Sequence, residues 1–396
     1  MKQGWEIKKL GDIAKFYRGL TYSKGDEVPS STNMVLRSNN VDLETNALVY
    51  DDMKCLREDL LVDEDKKVKA NSILICMSNG SKQHIGKVAY IQDDIDYAFG
   101  GFMGLIVPTK DIEGKYLYYS CVSHHFKHFL AGIGNGIGIT NLRFSDLSSY
   151  CFPVPPIAEQ EKIVAELDCL SGIIEKKKQQ LKELDNLAQS IFYEMFGDPV
   201  ENDKGWKTIN IENICSSIVR GPFGSALKKE FFVEQASTTY KVYEQKHAIQ
   251  KSADIGTYFI DAERFQTLKR FEVVPGDIIM SCSGTIGEFF VIPEGAERGI
   301  INQALLKYTL NDSIDQTYFL YVMEWVKENF DKKGTGLQNI GSVGTIKKTK
   351  ISFPPLALQQ DFASKIEAIE KQKELIAQSI KETETLFNSR MDYYFG

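Results

Sequence analysis

Features typical of disulfide-rich, zinc-binding and membrane proteins are missing from this sequence of 396 residues. Its seven cysteines stand singly, and an odd number without a C-x-x-C pair indicates neither a disulfide framework nor a zinc site. No run of apolar residues approaches the roughly 18 that a membrane helix needs, and the opening MKQGWEIKKLGDIAKF lacks the apolar core of a signal peptide. We therefore expect a cytoplasmic protein with buried free thiols and no membrane partner.

A positive net charge is missing, and histidine is scarce. The net charge of −7 argues against a protein held on nucleic acid mainly by bulk positive charge, although a local basic groove remains open. Three of the five histidines, His124, His125 and His128, have the spacing of one helix face. No carboxylate or cysteine ligand stands beside them, so we interpret them as a partly exposed helix face and expect no metal.

Motifs of common enzymes fail on inspection. GSKQHIGKV from Gly80 has one residue too many between its glycines for a phosphate-binding loop, and valine follows its lysine. GIGNGIG does not match the dinucleotide-binding pattern. The stretch Glu244-Gln-Lys246 has a nuclease-like E-x-K spacing, which occurs by chance in a chain with 26% charged residues. The proline pairs lack the flanking residues of an amino-methyltransferase loop. We expect no catalytic residues in this chain.

The sequence does contain a long internal repeat. Each half begins with Gly-Trp, at Gly4-Trp5 and Gly205-Trp206, and reaches Arg-Gly about fourteen residues later. FPVPPIAEQEKIVAELD from Phe152 and SFPPLALQQDFASKIEAIE from Ser352 then share a proline pair, a glutamine and a helical pattern. A period this long that occurs twice indicates a duplicated domain and not a solenoid of short repeats.

The segment after each proline pair has apolar residues at alternating steps of four and three, the pattern of a coiled-coil seam. About forty residues make a helix of roughly 60 Å, which must pack against a partner because one apolar stripe cannot stabilise it alone. Lys177 and Lys373 each stand where the other copy has isoleucine, which favours pairing of the two unlike helices within one chain; folding back on the own domain or pairing between chains are the alternatives. The predicted seam residues are Ile163, Leu167, Leu170, Ile174, Lys177, Leu181, Leu184, Phe362, Ile366, Ile369, Lys373, Ile376, Ile380 and Phe387.

Polar and basic loops with nearby aromatics recur in both halves, and their sequences differ where the surrounding scaffold agrees. Arg, Asn, Gln and Lys read base edges, while Ser and Thr hold phosphates, so the set is a candidate DNA-binding surface. In the first half the candidates are Arg18, Arg37, Asn39, Asn40, Ser78, Asn79, Lys82, Gln83, His84, Asn141 and Arg143. In the second half they are Arg220, Ser225, Lys228, Lys229, Lys241, Tyr243, Ser281, Ser283, Gln338 and Asn339.

Two variable regions, each followed by Pro-Pro-(Ile/Leu)-Ala-x-Gln and a heptad helix, together with RGPFGSALKK, resemble the specificity subunit of type I restriction-modification systems. The resemblance spans the whole chain and implies an α+β fold. Its two tandem target recognition domains, 1–154 and 199–353, are each followed by a long helix, 155–198 and 354–396, and the helices pair as an antiparallel coiled coil with pseudo-two-fold symmetry. The second copy departs slightly, because Leu358-Gln359-Gln360 replaces Glu159-Gln160-Glu161, which leaves its partner contacts open.

The resemblance also implies a function. The two domains would read a split site on double-stranded DNA, without chemistry of their own, and the chain would carry two adenine methyltransferase subunits and restriction subunits. S-adenosylmethionine, ATP and magnesium would bind in those partners and not here. An adaptor that binds protein ligands through two domains and a coiled coil is the alternative, and a gel-shift assay with and without methyltransferase separates the two.

Overall fold

The computed structural model describes residues 4–133, 141–223, 226–327, 332–333, 339–340 and 343–396. The chain divides into two compact units. Unit 1 comprises Met1–Gln180 and Ile376–Gly396, and unit 2 comprises Leu181–Leu375. Each unit therefore holds one globular domain together with part of each long helix. Within the described residues, no helix is both long and apolar enough to cross a membrane.

The strands of unit 1 form two four-stranded sheets and one short pair. They are β1 (Glu6–Lys9), β2 (Ala14–Arg18), β3 (Glu27–Val28), β4 (Asn33–Leu36), β5 (Lys54–Leu56), β6 (Ser72–Cys76), β7 (Val88–Ile91), β8 (Ala98–Phe99), β9 (Met103–Pro108) and β10 (Cys151–Val154). The helices are α1 (Leu10–Ile13), α2 (Gly114–Val122), α3 (His124–Ile133), α4 (Phe144–Ser148) and the long α5 (Ile157–Phe196).

The sheets of unit 1 have the strand orders β2-β9-β6-β7 and β3-β5-β4-β8. The first is antiparallel throughout, whereas β4 and β8 run parallel in the second. Strand β6, with the sequence SILIC, is buried along its whole length, as a short continuous apolar run favours. Strands β1 and β10 pair at Glu6 and Val154, which joins the start of the domain to the segment before α5.

Unit 2 has a similar set of elements. Its strands are β11 (Thr208–Asn210), β12 (Cys215–Arg220), β13 (Tyr240–Tyr243), β14 (Phe259–Ile260), β15 (Glu272–Val273), β16 (Ile278–Ser281), β17 (Phe289–Val291), β18 (Gly299–Ile301), β19 (Leu305–Leu310), β20 (Lys332–Lys333), β21 (Asn339–Ile340) and β22 (Lys350–Ser352). Its helices are α6 (Gln245–Ile249), α7 (Ala262–Thr267), α8 (Gln316–Val326), α9 (Val343–Lys348) and the long α10 (Leu356–Phe395).

The first sheet of unit 2, β12-β19-β16-β17, has the strand order of the first sheet of unit 1. The second sheet, β14-β13-β18-β15, has three strands that correspond to β5-β4-β8, and β13 runs parallel to β18 as β4 does to β8. The outer strands of the second sheet also have counterparts, each reduced to a single bridge in the other unit. The ladder between β15 and β18 corresponds to a single bridge between Lys67 and Ala98, and the ladder between β3 and β5 corresponds to a bridge between Val233 and Phe259. The predicted α+β domain is thus present twice.

The glutamine of each Pro-Pro motif ties a long helix to its own domain. Gln160 is fully buried; its Oε1 accepts from the Glu113 backbone N–H at 2.9 Å, and its Nε2 donates to the Pro155 carbonyl at 2.8 Å. Gln359 does the same in unit 2, with the Asp315 N–H at 2.9 Å and the Pro354 carbonyl at 2.8 Å. Glu113 and Asp315 are the N-caps of α2 and α8, so each glutamine fixes where a long helix leaves its domain.

Within each unit the two long-helix segments pack antiparallel. In unit 1, Glu166 of α5 binds Arg390 of α10, and Lys177 further along α5 donates to Ser379, which stands earlier in α10. In unit 2, Lys373 lies 2.8 Å from Asp185. All of the predicted seam residues are buried or half-buried. The pseudo-two-fold relation of the halves stays a prediction.

The ends of the long helices pack on the domains with aromatic side chains. In unit 1 the rings of Phe395 and Tyr116 lie 5.1 Å apart, and in unit 2 those of Phe196 and Tyr318 lie 4.8 Å apart. The cysteines differ partly from the prediction of buried thiols, because Cys169 is exposed on the polar side of α5.

Candidate nucleic-acid interface

Unit 1 gathers five loops at one edge of its two sheets. Registers that pair Arg18 with Gly104 and Cys76 with Met103 bring the ends of β2 and β6 beside the start of β9. The loop after β4 joins them because Asn79 Nδ2 donates to Ser38 Oγ at 2.7 Å. The last loop is attached by a bridge between Ser78 and Asn141. Loops far apart in the sequence therefore form one surface.

Most predicted residues of the first half lie on this surface. Arg18, Lys82, Gln83, Asn141 and Arg143 are exposed. Ser78, Asn79 and His84 are half-buried in the loop after β6. Arg37 and Asn39 share one partner, because the Arg37 Nη2 and the Asn39 Nδ2 lie 3.1 Å and 2.9 Å from Asp52 Oδ2. Asp52 thus orients both side chains, and it also offsets the charge of Arg37.

Unit 2 builds the same edge from matching loops. Arg220 pairs with Leu306, Ser281 with Leu305 and Tyr243 with Ile301, so the ends of β12, β16 and β13 meet there. The Arg220 Nε donates to the Gln303 carbonyl at 3.3 Å, and its guanidinium stands 5.1 Å from the ring centre of the exposed Phe223. Lys228 and Lys229 are exposed nearby, and Ser283 is half-buried in the loop after β16.

Glycine is required at one matching position in each unit. A Cβ on Gly19 would stand 2.1 Å from the Gly100 carbonyl oxygen, and a Cβ on Gly221 would stand 1.9 Å from that of Asn302. The backbone N–H groups of both glycines also donate to corresponding strands: Gly19 to the Met103 carbonyl at the start of β9, and Gly221 to the Leu305 carbonyl at the start of β19. The repeated Arg-Gly pairs therefore bring two loops into backbone contact and place an arginine at the edge of the surface.

Four predicted contact residues lie inside the protein, and the prediction is corrected for them. Asn40 is fully buried and donates to the Val49 and Asp51 carbonyls, so it holds its own loop. Lys241 is 2% exposed and lies 3.0 Å from Glu297. The Tyr243 hydroxyl donates to the Glu297 carbonyl, and burial raises the pKa of Tyr243 to about 12. Ser281 accepts from the Glu288 backbone N–H. These side chains position loops; they do not face a ligand.

Other predicted residues have no described placement. Ser225 and Gln338 lie outside the described residues, and so does the side chain of Asn339. Conversely, sequence reasoning missed Phe102, which is 72% exposed between the loops of unit 1 and whose carbonyl accepts from the backbone N–H groups of Met77 and Ser78. An aromatic residue directly after Gly100-Gly101, in a turn between two strands, was the signal available in the sequence.

The described residues contain no group of three or more His, Cys, Asp or Glu side chains placed to hold a metal ion. Two of the histidines predicted on one helix face have protein partners: His124 Nδ1 lies 3.2 Å from Asp392 Oδ1, and His125 Nε2 lies 3.1 Å from the Cys151 carbonyl. These contacts fix the position of α3 on its own unit. What the two edges offer is hydrogen-bonding and cationic side chains on rigid strand ends.

Comparison with known proteins agrees with this architecture. A family model described as type I restriction modification DNA specificity domain matches residues 2–186 and again 203–385. A chain from the solved structure "Structural basis underlying complex assembly and conformational transition of the type I R-M system" aligns over 99% of this chain and 97% of its own length, with a TM-score of 0.64 and 16% identity. At that identity the likeness shows a shared fold.

Two curated relatives carry the same kind of name. The EcoKI specificity subunit of Escherichia coli (strain K12) is 25% identical over 218 residues, which cover 54% of this chain and 46% of that relative. This chain thus spans about half the length of that protein. The MjaIX specificity subunit of Methanocaldococcus jannaschii is 24% identical over 402 residues, which cover 92% of this chain and 86% of the relative. The resemblance noted in the sequence is confirmed: this chain belongs to the family of type I restriction modification DNA specificity domains, and it contains that domain twice.

Proposed function

We propose that this chain is the DNA-recognition subunit of a type I restriction-modification complex. Each domain reads half of a bipartite site on double-stranded DNA, and the paired helices hold the halves apart. One observation carries the proposal: the loop-bearing edge of each unit has the same pattern of backbone hydrogen bonds, including those of Gly19 and Gly221, while the exposed side chains differ. Two domains with the same backbone and different exposed side chains are what recognition of two different DNA sequences requires.

The remaining parts of the complex follow from this role. We propose that the chain performs no chemistry itself and that two adenine methyltransferase subunits and the restriction subunits assemble on it in the cytoplasm. S-adenosylmethionine, ATP and magnesium would bind in those partners. The acidic net charge of −7 is consistent with a division of labour in which partner subunits supply much of the grip on phosphates.

The test is to express the full chain with the methyltransferase subunit of its system and to map methylated adenines across a genome. A motif of two specified half-sites separated by a fixed unspecified gap is the expected result. Methylation without the chain, or with a contiguous motif, would overturn the proposal.

A second variant tests the role of the helices. Inserting one heptad into each long helix preserves the seam and lengthens the pair by about 10 Å. We expect both half-sites to stay the same and the gap between them to grow by about three base pairs, given roughly 3.4 Å per base pair. An unchanged gap in an active complex would show that the helices do not set the separation.

A further inference from the structure

At one position that corresponds in the two units, the side chains carry opposite charges. Gly100 N donates to the Leu36 carbonyl at 2.9 Å, as Asn302 N donates to the Tyr243 carbonyl at 2.9 Å. The residues that follow, Arg37 and Glu244, therefore match. Their backbones agree as well, since Arg37 N donates to Asn40 Oδ1 at 2.9 Å and Glu244 N to His247 Nδ1 at 2.8 Å.

Opposite charges at one position exclude a shared structural role for the side chain. The hydrogen bond that both loops share starts from the N–H of this residue. Its side chain has different partners in the two units: the Arg37 Nη2 donates to the Asp52 backbone carbonyl at 2.9 Å, and the Glu244 Oε2 lies 2.7 Å from Lys246 Nζ. The neighbouring turn varies in the same way: Gly100 and Gly101 in unit 1 match Asn302 and Gln303 in unit 2. The side chains at these positions can therefore differ between the units according to the ligand of each loop edge.

Glu244 lies in a cleft that opens on this edge. The cleft has a volume of about 160 Å³, and its lining includes Lys229, Phe232, Glu244, Tyr258 and Gln303. The Glu244 Oε2 lies 2.7 Å from Lys246 Nζ, and the carboxylate side chain keeps 19% of its exposure. Phe232 and Tyr258 stack at 4.4 Å on the apolar wall. An oriented carboxylate thus stands among amide and lysine side chains.

A carboxylate on a DNA-facing edge weakens attraction to phosphates, so its contribution has to come from selectivity. Among base edges in the major groove, the exocyclic amine of cytosine is the donor that Glu accepts from. Resting on the proposed function, we propose that Glu244 is a specificity-determining residue that accepts a hydrogen bond from a cytosine N4 amine in the half-site read by unit 2. Lys246 orients the carboxylate, and Gln303 contacts the adjoining base pair.

The experiment compares the full chain with Glu244→Gln and Gln303→Ala, each expressed with the methyltransferase subunit, by mapping methylated adenines. Glu244→Gln keeps the shape of the side chain and replaces one acceptor oxygen by a donor. The expected motif loses its preference for cytosine at one position of one half-site, by about tenfold, while the other half-site is unchanged. Gln303→Ala, a change at an exposed side chain, should relax an adjoining position of the same half-site. Glu263→Gln, an exposed acid in α7, is the control and should leave the motif intact.

The possible outcomes separate the two proposals. If the unaltered chain directs no bipartite methylation, the proposed function fails. If it does, but a folded Glu244→Gln chain gives the unaltered motif, the role of Glu244 is overturned and the proposed function stands. Relaxation of both half-sites together would also overturn it, because the cleft belongs to one unit. If Glu244→Gln lowers the yield of folded chain, the Gln303→Ala motif decides.

Discussion

The Gln160 side chain joins the N-terminus of α2 to the beginning of α5, with its Oε1 2.9 Å from the Glu113 backbone nitrogen. The Nε2 donates on the other side to the Asp111 and Pro155 carbonyls. One buried amide thus satisfies three backbone groups from two segments. The start of α5 is consequently fixed on its own domain, as the role proposed for the long helices requires.

Gln160→Ala should destabilise unit 1 by about 1–3 kcal/mol, because a buried N–H and two carbonyls lose their partner. Urea unfolding of the full chain measures this difference. Gln180→Ala, an exposed glutamine on the same helix, is the matched control and should change little. Equal effects of the two substitutions would show that the buried amide contributes nothing specific.

The ion pair between Glu166 and Arg390 predicts a pH dependence. The hydrogen bonds from Arg390 hold the pKa of the Glu166 carboxyl below its ordinary value of 4.5. A lowered folded pKa means that the stabilisation is complete above pH 4.5 and is lost as the pH falls through the folded pKa. We expect the difference in unfolding free energy between the unaltered chain and Glu166→Gln to be largest near neutrality and to shrink in acid.

Chemical denaturation at a series of pH values from neutral to acidic tests this sign. Glu161→Gln, an exposed carboxylate on the same helix, should give a flat difference. A Glu166→Gln difference that is constant across the series would contradict the role assigned to the pair.

Lys373 occupies a seam position, yet it binds exposed carboxylates. It lies 2.8 Å from Asp185 and 2.9 Å from Glu370, whose side chains are 56% and 49% exposed. Burial lowers the pKa of Lys373, but the two carboxylates together raise it by more, so its pKa lies above the ordinary value. Because such screened pairs contribute little, Lys373→Ile should raise the unfolding free energy by about 1 kcal/mol through added apolar burial.

The same change should increase self-association, since a uniformly apolar seam no longer distinguishes its partner helix. Sedimentation analysis measures the second effect. Lys371→Ile, exposed on the same helix, is the control that should give no gain in stability. A destabilised Lys373→Ile chain would mean that the lysine pairs outweigh the packing.

Gly19, the glycine of the first Arg-Gly pair, can be compared with a control glycine at which alanine should change stability in the opposite direction. Gly19→Ala places a Cβ 2.1 Å from the Gly100 carbonyl oxygen, which forces two loops apart and should cost about 1–3 kcal/mol. Gly132→Ala lies in α3, where a Cβ meets no described atom within 4 Å, and should stabilise the helix by up to about 1 kcal/mol. Thermal unfolding distinguishes them. The close approach would be disproved if both substitutions stabilised the chain.

The sequence predicted the long helices well because a heptad pattern sustained over forty residues depends only on neighbours in the chain. It could not reveal what the motif glutamines do, since their partners stand 47 and 44 residues upstream. The same limit explains the errors at the loop edge. Asn40 and Lys241 are polar residues beside loops, and only the folded chain shows that they turn inward to backbone carbonyls.

Arg18 and Arg220 stand at matching positions, each directly before the glycine that joins two loops, and they supply a final test of modular reading. Arg18→Ala should weaken or relax recognition of the half-site read by unit 1, by about 1–3 kcal/mol if the guanidinium pairs with guanine. Arg220→Ala should affect only the other half-site. Binding of the methyltransferase complex to DNA with one half-site altered at a time measures both effects. Lys15→Ala, exposed in β2 but away from the loop edge, is the control. Equal loss at both half-sites for either arginine would contradict independent reading by two domains.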